Sequence, residues 1–90
     1  MENEVLRTVR GGYDKGAVIS KLDSYNTLLL MIEQGALSDA AINAELAKIR
    51  ASPIPKAKGG LILKGSGFSV EDTDKYIADL EKKISEKIML

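Results

Sequence analysis

The chain contains no cysteine, no histidine and no tryptophan. Without cysteine no disulfide can brace it, and a reducing compartment is the consistent setting. Without histidine and cysteine together, the commonest general base, the usual nucleophile–base pairs and most transition-metal ligand sets are missing. A protein that is no enzyme and holds no cofactor and no metal is therefore expected. Excess charge is missing too: Lys plus Arg and Asp plus Glu both number 13, for a net charge of zero. Nucleic-acid binders carry a basic excess or a basic stripe, so no nucleic-acid partner is expected. The longest apolar run, Leu28 to Ile32, is far short of the ~20 residues of a membrane span. Met1-Glu2-Asn3-Glu4 is acidic and polar where a secretion signal would be basic, and a cytoplasmic protein is the expectation.

What the chain does have is helix grammar. Gly67 to Ile88 opens with Ser69, a capping residue, and Asp72 three positions on completes the pattern of a capping box. Glu71, Asp72 and Asp74 lie at the positive end of the helix dipole, with Lys82, Lys83 and Lys87 toward the other end. Val70, Thr73, Ile77, Leu80, Ile84 and Ile88 follow at spacings of three, four, three, four and four, an apolar stripe close to a coiled-coil seam. Phe68, just before the cap, is placed to fold over Thr73 as a hydrophobic staple. A first helix is expected over about 15–34, capped by Asp14 and ended by Gly35. Its stripe is Val18, Leu22, Tyr25, Leu29 and Ile32, and its second half is apolar nearly all round. A second helix is expected over about 39–50, after Ser38, with Ile42, Leu46 and Ile49 on one side. The short link Gly35-Ala36-Leu37 makes these two a helical hairpin, and Pro53 and Pro55 end the second. The third helix spans about 70–88. Between the second and third, four glycines in residues 56–67 predict a loop with Leu61-Ile62-Leu63 as a short strand; Val5 to Val9 reads as a strand or one or two helical turns.

The helix starts repeat. Matching Gly12 to Gly67 pairs Tyr13 with Phe68, Asp14 with Ser69, Val18 with Thr73 and Leu22 with Ile77. Each copy reads glycine, aromatic, capping residue, amphipathic helix. The segment Arg10-Gly11-Gly12-Tyr13-Asp14-Lys15-Gly16-Ala17-Val18-Ile19-Ser20-Lys21-Leu22 resembles the N-terminal signature of DivIVA-type bacterial proteins, and Gly67 to Ile77 resembles it again, with Asp74, Tyr76 and Ile77 at the acidic, aromatic and aliphatic positions. The chain departs from the pattern in an extra glycine after Arg10, in Lys21 where an aromatic is expected, and in the helix and glycine-rich loop between the copies. The resemblance implies a cytoplasmic, coiled-coil-forming scaffold linked to cell division or polarity, which dimerises in parallel and touches the membrane through its turn.

Other candidates carry simpler explanations. Glu71, Asp72 and Asp74 are oxygen ligands in type, but first-turn neighbours point in different directions, and the helix dipole accounts for them. Gly60 to Ser66 lacks the lysine that a phosphate loop needs between its last glycine and the serine. Leu61, Ile62 and Leu63 flanked by Lys56, Lys58 and Lys64, with Arg7 and Arg10 as a second site, form a candidate contact with an anionic bilayer. The plainer account is that these aliphatics fill the core or pair as a strand and the lysines are solvated.

The expectation is thus one mainly α-helical domain over 1–90, in which three helices with coiled-coil-like seams are joined by a Gly-rich loop or short strand pair, standing alone or as a piece of a longer coiled coil. A chain of 90 residues buries only roughly 60–65% of its unfolded surface. The ten seam residues Val18, Leu22, Tyr25, Leu29, Ile32, Thr73, Ile77, Leu80, Ile84 and Ile88 then call for a homodimer or higher oligomer to cover them. The functional expectation is a DivIVA-like oligomerisation or scaffold module; the alternative is an adaptor that takes a partner protein's helix in the groove between the first two helices.

Overall fold

The computed structural model describes residues 6–59 and 65–88. The chain runs β1 (Thr8–Arg10), α1 (Lys15–Glu33), α2 (Asp39–Ala51), β2 (Ser66–Phe68) and α3 (Val70–Ile88). The described residues are mainly helical and form three helices and one small two-stranded antiparallel sheet in which Thr8 faces Phe68, Val9 faces Gly67 and Arg10 faces Ser66. Thr8–Arg10 is therefore a strand, and its partner is Ser66–Phe68. The expected strand at Leu61-Ile62-Leu63 lies outside the described residues.

Each helix begins where its capping residue requires. Asp14 accepts from the Ala17 N–H at 2.8 Å, Ser38 from Ala41 at 3.2 Å and Ser69 from Asp72 at 3.2 Å. α1 ends in a Schellman turn. Gly35, at φ 69°, donates to Ile32 O, and Ala36 donates to Met31 O, both at 3.0 Å, which satisfies two carbonyls of the last turn. The expected capping box at Ser69 is half formed. The Asp72 carboxylate turns away from its own helix and takes the Arg7 backbone N–H at 3.1 Å and the guanidinium Nε at 2.8 Å. The Ser69 N–H, left free by this, donates to Arg7 O at 2.7 Å. A charged donor just before β1 outcompetes the local amide.

The core explains the seams. Tyr25 and Leu28 of α1, Ile42, Leu46 and Ile49 of α2, and Leu80 and Ile84 of α3 form one buried cluster. Leu22, Leu29, Ile32, Ile77 and Ile88 pack against it half-buried, while Val18 and Thr73 are completely enclosed. All ten residues assigned to an intermolecular seam thus find their cover, whole or partial, within one chain. α1 and α3 cover each other's stripes in large part, and α2 adds a third wall. Among the described residues the large hydrophobics left exposed are Ile19 and Leu30.

α1 and α3 run side by side in the same direction. Tyr13, at the start of α1, donates to Asp74 near the start of α3; Tyr25 donates to Glu81 midway; and Glu33 pairs with Lys87 at 3.2 Å at the far ends. α2 lies antiparallel on α1, its last turn returned to the start of α1, where Lys21 Nζ donates to Ser52 O at 2.6 Å.

One buried group stands out. The Thr73 hydroxyl is enclosed and has no hydrogen-bond partner among the described residues, while its counterpart in the first copy is Val18, also fully enclosed. An unpaired buried hydroxyl costs about 1–3 kcal/mol. Thr73→Val, which keeps the shape and removes the oxygen, is expected to raise stability by about 1 kcal/mol, measured as the midpoint of urea unfolding. A lowered midpoint would mean that the hydroxyl is paired in solution.

Candidate functional site

The feature that organises the molecule is the meeting of the two helix starts. Tyr13 N–H donates to Phe68 O at 2.8 Å, and Phe68 N–H returns a bond to Tyr13 O at 2.9 Å. The two aromatics that match in the repeat therefore pair with each other, which places a local two-fold axis between them. Flanking bonds obey the same axis. Ser69 N–H donates to Arg7 O at 2.7 Å, and its counterpart Asp14 N–H donates to Pro55 O at 2.8 Å. Thr8 faces Phe68, and Lys56 faces Tyr13 in an antiparallel bridge. The extended segment leading into each copy thus pairs with the helix start of the other, so the two halves interlock. Gly12 and Gly67 make this approach feasible: a Cβ on Gly12 would lie 2.3 Å from Phe68 O, and one on Gly67 2.1 Å from Tyr13 O.

The motif residues Gly12, Tyr13, Asp14, Gly67, Phe68 and Ser69 are thus brought together at one end of the α1–α3 pair. The Tyr13 phenol reaches across to Asp74 Oδ1 at 3.1 Å, and Lys56 Nζ lies 5.9 Å from its ring centroid. Lys15 Nζ lies 5.2 Å from the centroid of the Phe68 ring. Of the candidate bilayer contacts, Arg7 is committed to Asp72, and its hydrogen bond holds that carboxyl below its usual range. Arg10 and Lys58 are exposed. Leu61, Ile62, Leu63 and Lys64 lie outside the described residues. Asp72 and Asp74, considered as metal ligands, are instead bound to Arg7 and Tyr13.

A polar relay joins the three helices, and its members Glu81 and Arg50 were not singled out from sequence. Tyr25 of α1 donates to Glu81 of α3, which also pairs with Arg50 of α2 at 3.2 Å. The available signal was a glutamate next to Leu80 on the apolar stripe, a position for a partnered charge. Burial would by itself raise the Glu81 carboxyl; the bonds from Tyr25 and Arg50 outweigh it and hold the group below its ordinary 4.5. Burial, then the bond to Glu81, push the Tyr25 phenol above its ordinary 10.0. The lowered Glu81 contributes stability that is full above about pH 4.5 and is lost as pH falls through its lower folded value. The raised Tyr25 contributes stability that is full below about pH 10 and is lost as pH rises further. Melting temperature against pH should therefore fall at both ends. Glu81→Gln should flatten the acid limb; an unchanged acid limb would remove Glu81 from the relay.

Beside the relay, α1 and α2 enclose an open trough of about 670 Å³. Leu28, Met31, Leu37 and Ile49 supply its apolar surface, and Ser24, Thr27 and the Glu45–Lys48 pair are among its polar lining. Among the described residues no helix is long and apolar enough to cross a membrane. These features define a class: a small α-helical domain built on two similar, interlocked helix starts. No family model matches the chain, and neither does any curated protein or solved structure.

Proposed function

We propose that the chain is a non-enzymatic interaction module of DivIVA type, a cytoplasmic scaffold element linked to cell division or polarity. The observation that carries this reading is the mutual backbone pairing of Tyr13 and Phe68, from which α1 and α3 leave in parallel. The family the helix starts resemble dimerises in parallel. Here two copies of the start motif in one chain make a parallel pair without a second molecule. Scaffolding then works through partners of the finished module, and any self-association uses surfaces other than the ten seam residues.

Two measurements test this. Light scattering across a concentration series is expected to return the chain mass of 9.7 kDa. A dimer that separates only on unfolding would overturn the one-chain pairing. A fluorescent fusion in the cells that carry the protein is expected to gather at division sites or poles; an even distribution would overturn the link to division. The trough between α1 and α2 favours a second reading, an adaptor that takes a partner protein's helix there. In that case Met31→Glu would abolish capture of the partner and leave the fold intact.

A further inference from the structure

α2 is held to its neighbours in a different way from that in which α1 and α3 hold each other. The α1–α3 pair is tied along its length by Tyr13 to Asp74, Tyr25 to Glu81 and Glu33 to Lys87, and its starts are joined by the main-chain bonds of Tyr13 and Phe68. None of these bonds passes through α2. Among the described residues, two polar contacts tie α2 and its cap to the other helices, and both lie at its C-terminal end. Lys21 Nζ donates to Ser52 O at 2.6 Å, and Arg50 meets Glu81 at 3.2 Å with its own side chain 52% exposed. From Asp39 to Ile49 the helix is held by packing alone, through Ile42, Leu46 and Ile49. Its outer positions Ala40, Ala44 and Ala47 are exposed. The trough of about 670 Å³ opens beside Leu28 and Ile49, so part of the α1–α2 boundary is hollow rather than packed.

Both ends of α2 are anchored by groups outside it. Upstream, Gly35 at φ 69° turns the chain out of α1, and a Cβ there would meet nothing within 4 Å. Downstream, Pro55 O accepts from the Asp14 N–H and the Ala57 N–H donates to Gly12 O. The segment between these anchors, residues 36–54, can leave α1 without parting the interlocked starts. Nor does its departure strand a charge, which is what makes the loss of one ionic partner costly in a core. Glu81 loses Arg50 and keeps the phenol of Tyr25, which belongs to α1.

We infer that α2 is a strap that opens away from the α1–α3 pair while the pair and its interlocked starts stay folded. Segments with few buried apolar contacts open locally at a lower cost than the whole domain, and three side chains hold this one. Closed, Ile42, Leu46 and Ile49 share one buried cluster with Tyr25, Leu28, Leu80 and Ile84. Open, that strip loses its third wall, so the position of the strap sets access to it. The inference goes beyond the interaction-module reading and does not depend on it.

Native-state hydrogen exchange on the intact chain tests this, at guanidinium concentrations below the unfolding transition. After correction for intrinsic rates, the amides of Leu46 to Ile49 are expected to exchange at least about tenfold faster than those of Leu28, Leu29, Leu80 and Ile84. Their exchange should also depend less steeply on denaturant, because opening the strap exposes less surface than unfolding the chain. Ala78→Gly supplies the decisive arm. Ala78 is exposed on α3, which is helical whether the strap is closed or open, so the substitution weakens both forms equally. It should leave exchange at Leu46 to Ile49 unchanged and speed exchange at Leu80 and Ile84 about fivefold. Acceleration of Leu46 to Ile49 by the same factor would mean that α2 opens only when the whole chain unfolds, and would overturn the inference. One denaturant slope shared by all three helices of the parent protein would overturn it as well, without recourse to any variant.

Discussion

Gly67→Ala is expected to destabilise the protein by at least about 3 kcal/mol, and Gly12→Ala by a similar amount. The added methyl of either substitution meets a main-chain carbonyl at 2.1 or 2.3 Å, and neither oxygen belongs to a side chain that can swing aside. Each carbonyl accepts one of the two hydrogen bonds that join Tyr13 to Phe68. The methyl can be housed only by parting the two chain segments, which breaks that pair and pulls the caps Asp14 and Ser69 out of position at the same moment. For a domain of this size ~3 kcal/mol lowers the melting temperature by roughly 12–24 °C. Thermal unfolding followed by circular dichroism measures it. Gly16→Ala is the control: its methyl meets only the Asp14 carboxylate, at 3.4 Å, inside a helix where alanine is favoured over glycine by about 1 kcal/mol. That variant should melt at or above the parent temperature. If Gly67→Ala melts with it, the two helix starts are not in contact in solution.

The helices were legible because their signals are local. Asp14, Ser38 and Ser69 each mark a first turn, Gly35 marks a C-terminus, and the stripes repeat at helical spacing, so the boundaries fall within a residue of expectation. The repeated glycine–aromatic–cap triplet was legible too, but only as a way to start helices. That the two triplets bind each other is a long-range fact between residues 13 and 68, and no periodicity encodes it. The sharpest trace of it was the presence of glycine at both Gly12 and Gly67, where a single flexible turn needs only one. Sequence assigned the seam to a second copy, and the chain itself covers much of it. A stripe such as Leu22-Tyr25-Leu29 states that a helix is covered on one side; it does not state whether another molecule or another part of the same chain does the covering. Arg7 illustrates the same gap. On the sequence it is a cation beside glycines; in the fold it occupies the carboxylate that Ser69 was expected to recruit.

Leu80→Asp separates the two accounts of the seam by its outcome. Leu80 is 5% exposed and lies in the cluster with Tyr25 and Ile84, so an aspartate there has little water to solvate it. An uncompensated buried charge costs about 3–5 kcal/mol, and loss of the leucine packing adds to that. Domains of this kind have ~5–15 kcal/mol in all, so the variant should be largely unfolded well below the melting temperature of the parent. In an intermolecular seam the same change would release folded monomers, with the helical signal kept and the mass halved. In the single-chain core the helical signal and the fold disappear together, with no oligomer to dissociate. Circular dichroism and light scattering on one sample distinguish these results. Ile19→Asp completes the test: Ile19 is 58% exposed on the outer face of α1, so it should leave both readings unchanged. If Leu80→Asp instead yields a folded monomer from a parental dimer, α1 and α3 face different molecules, and the pairing of Tyr13 with Phe68 would have to form between chains.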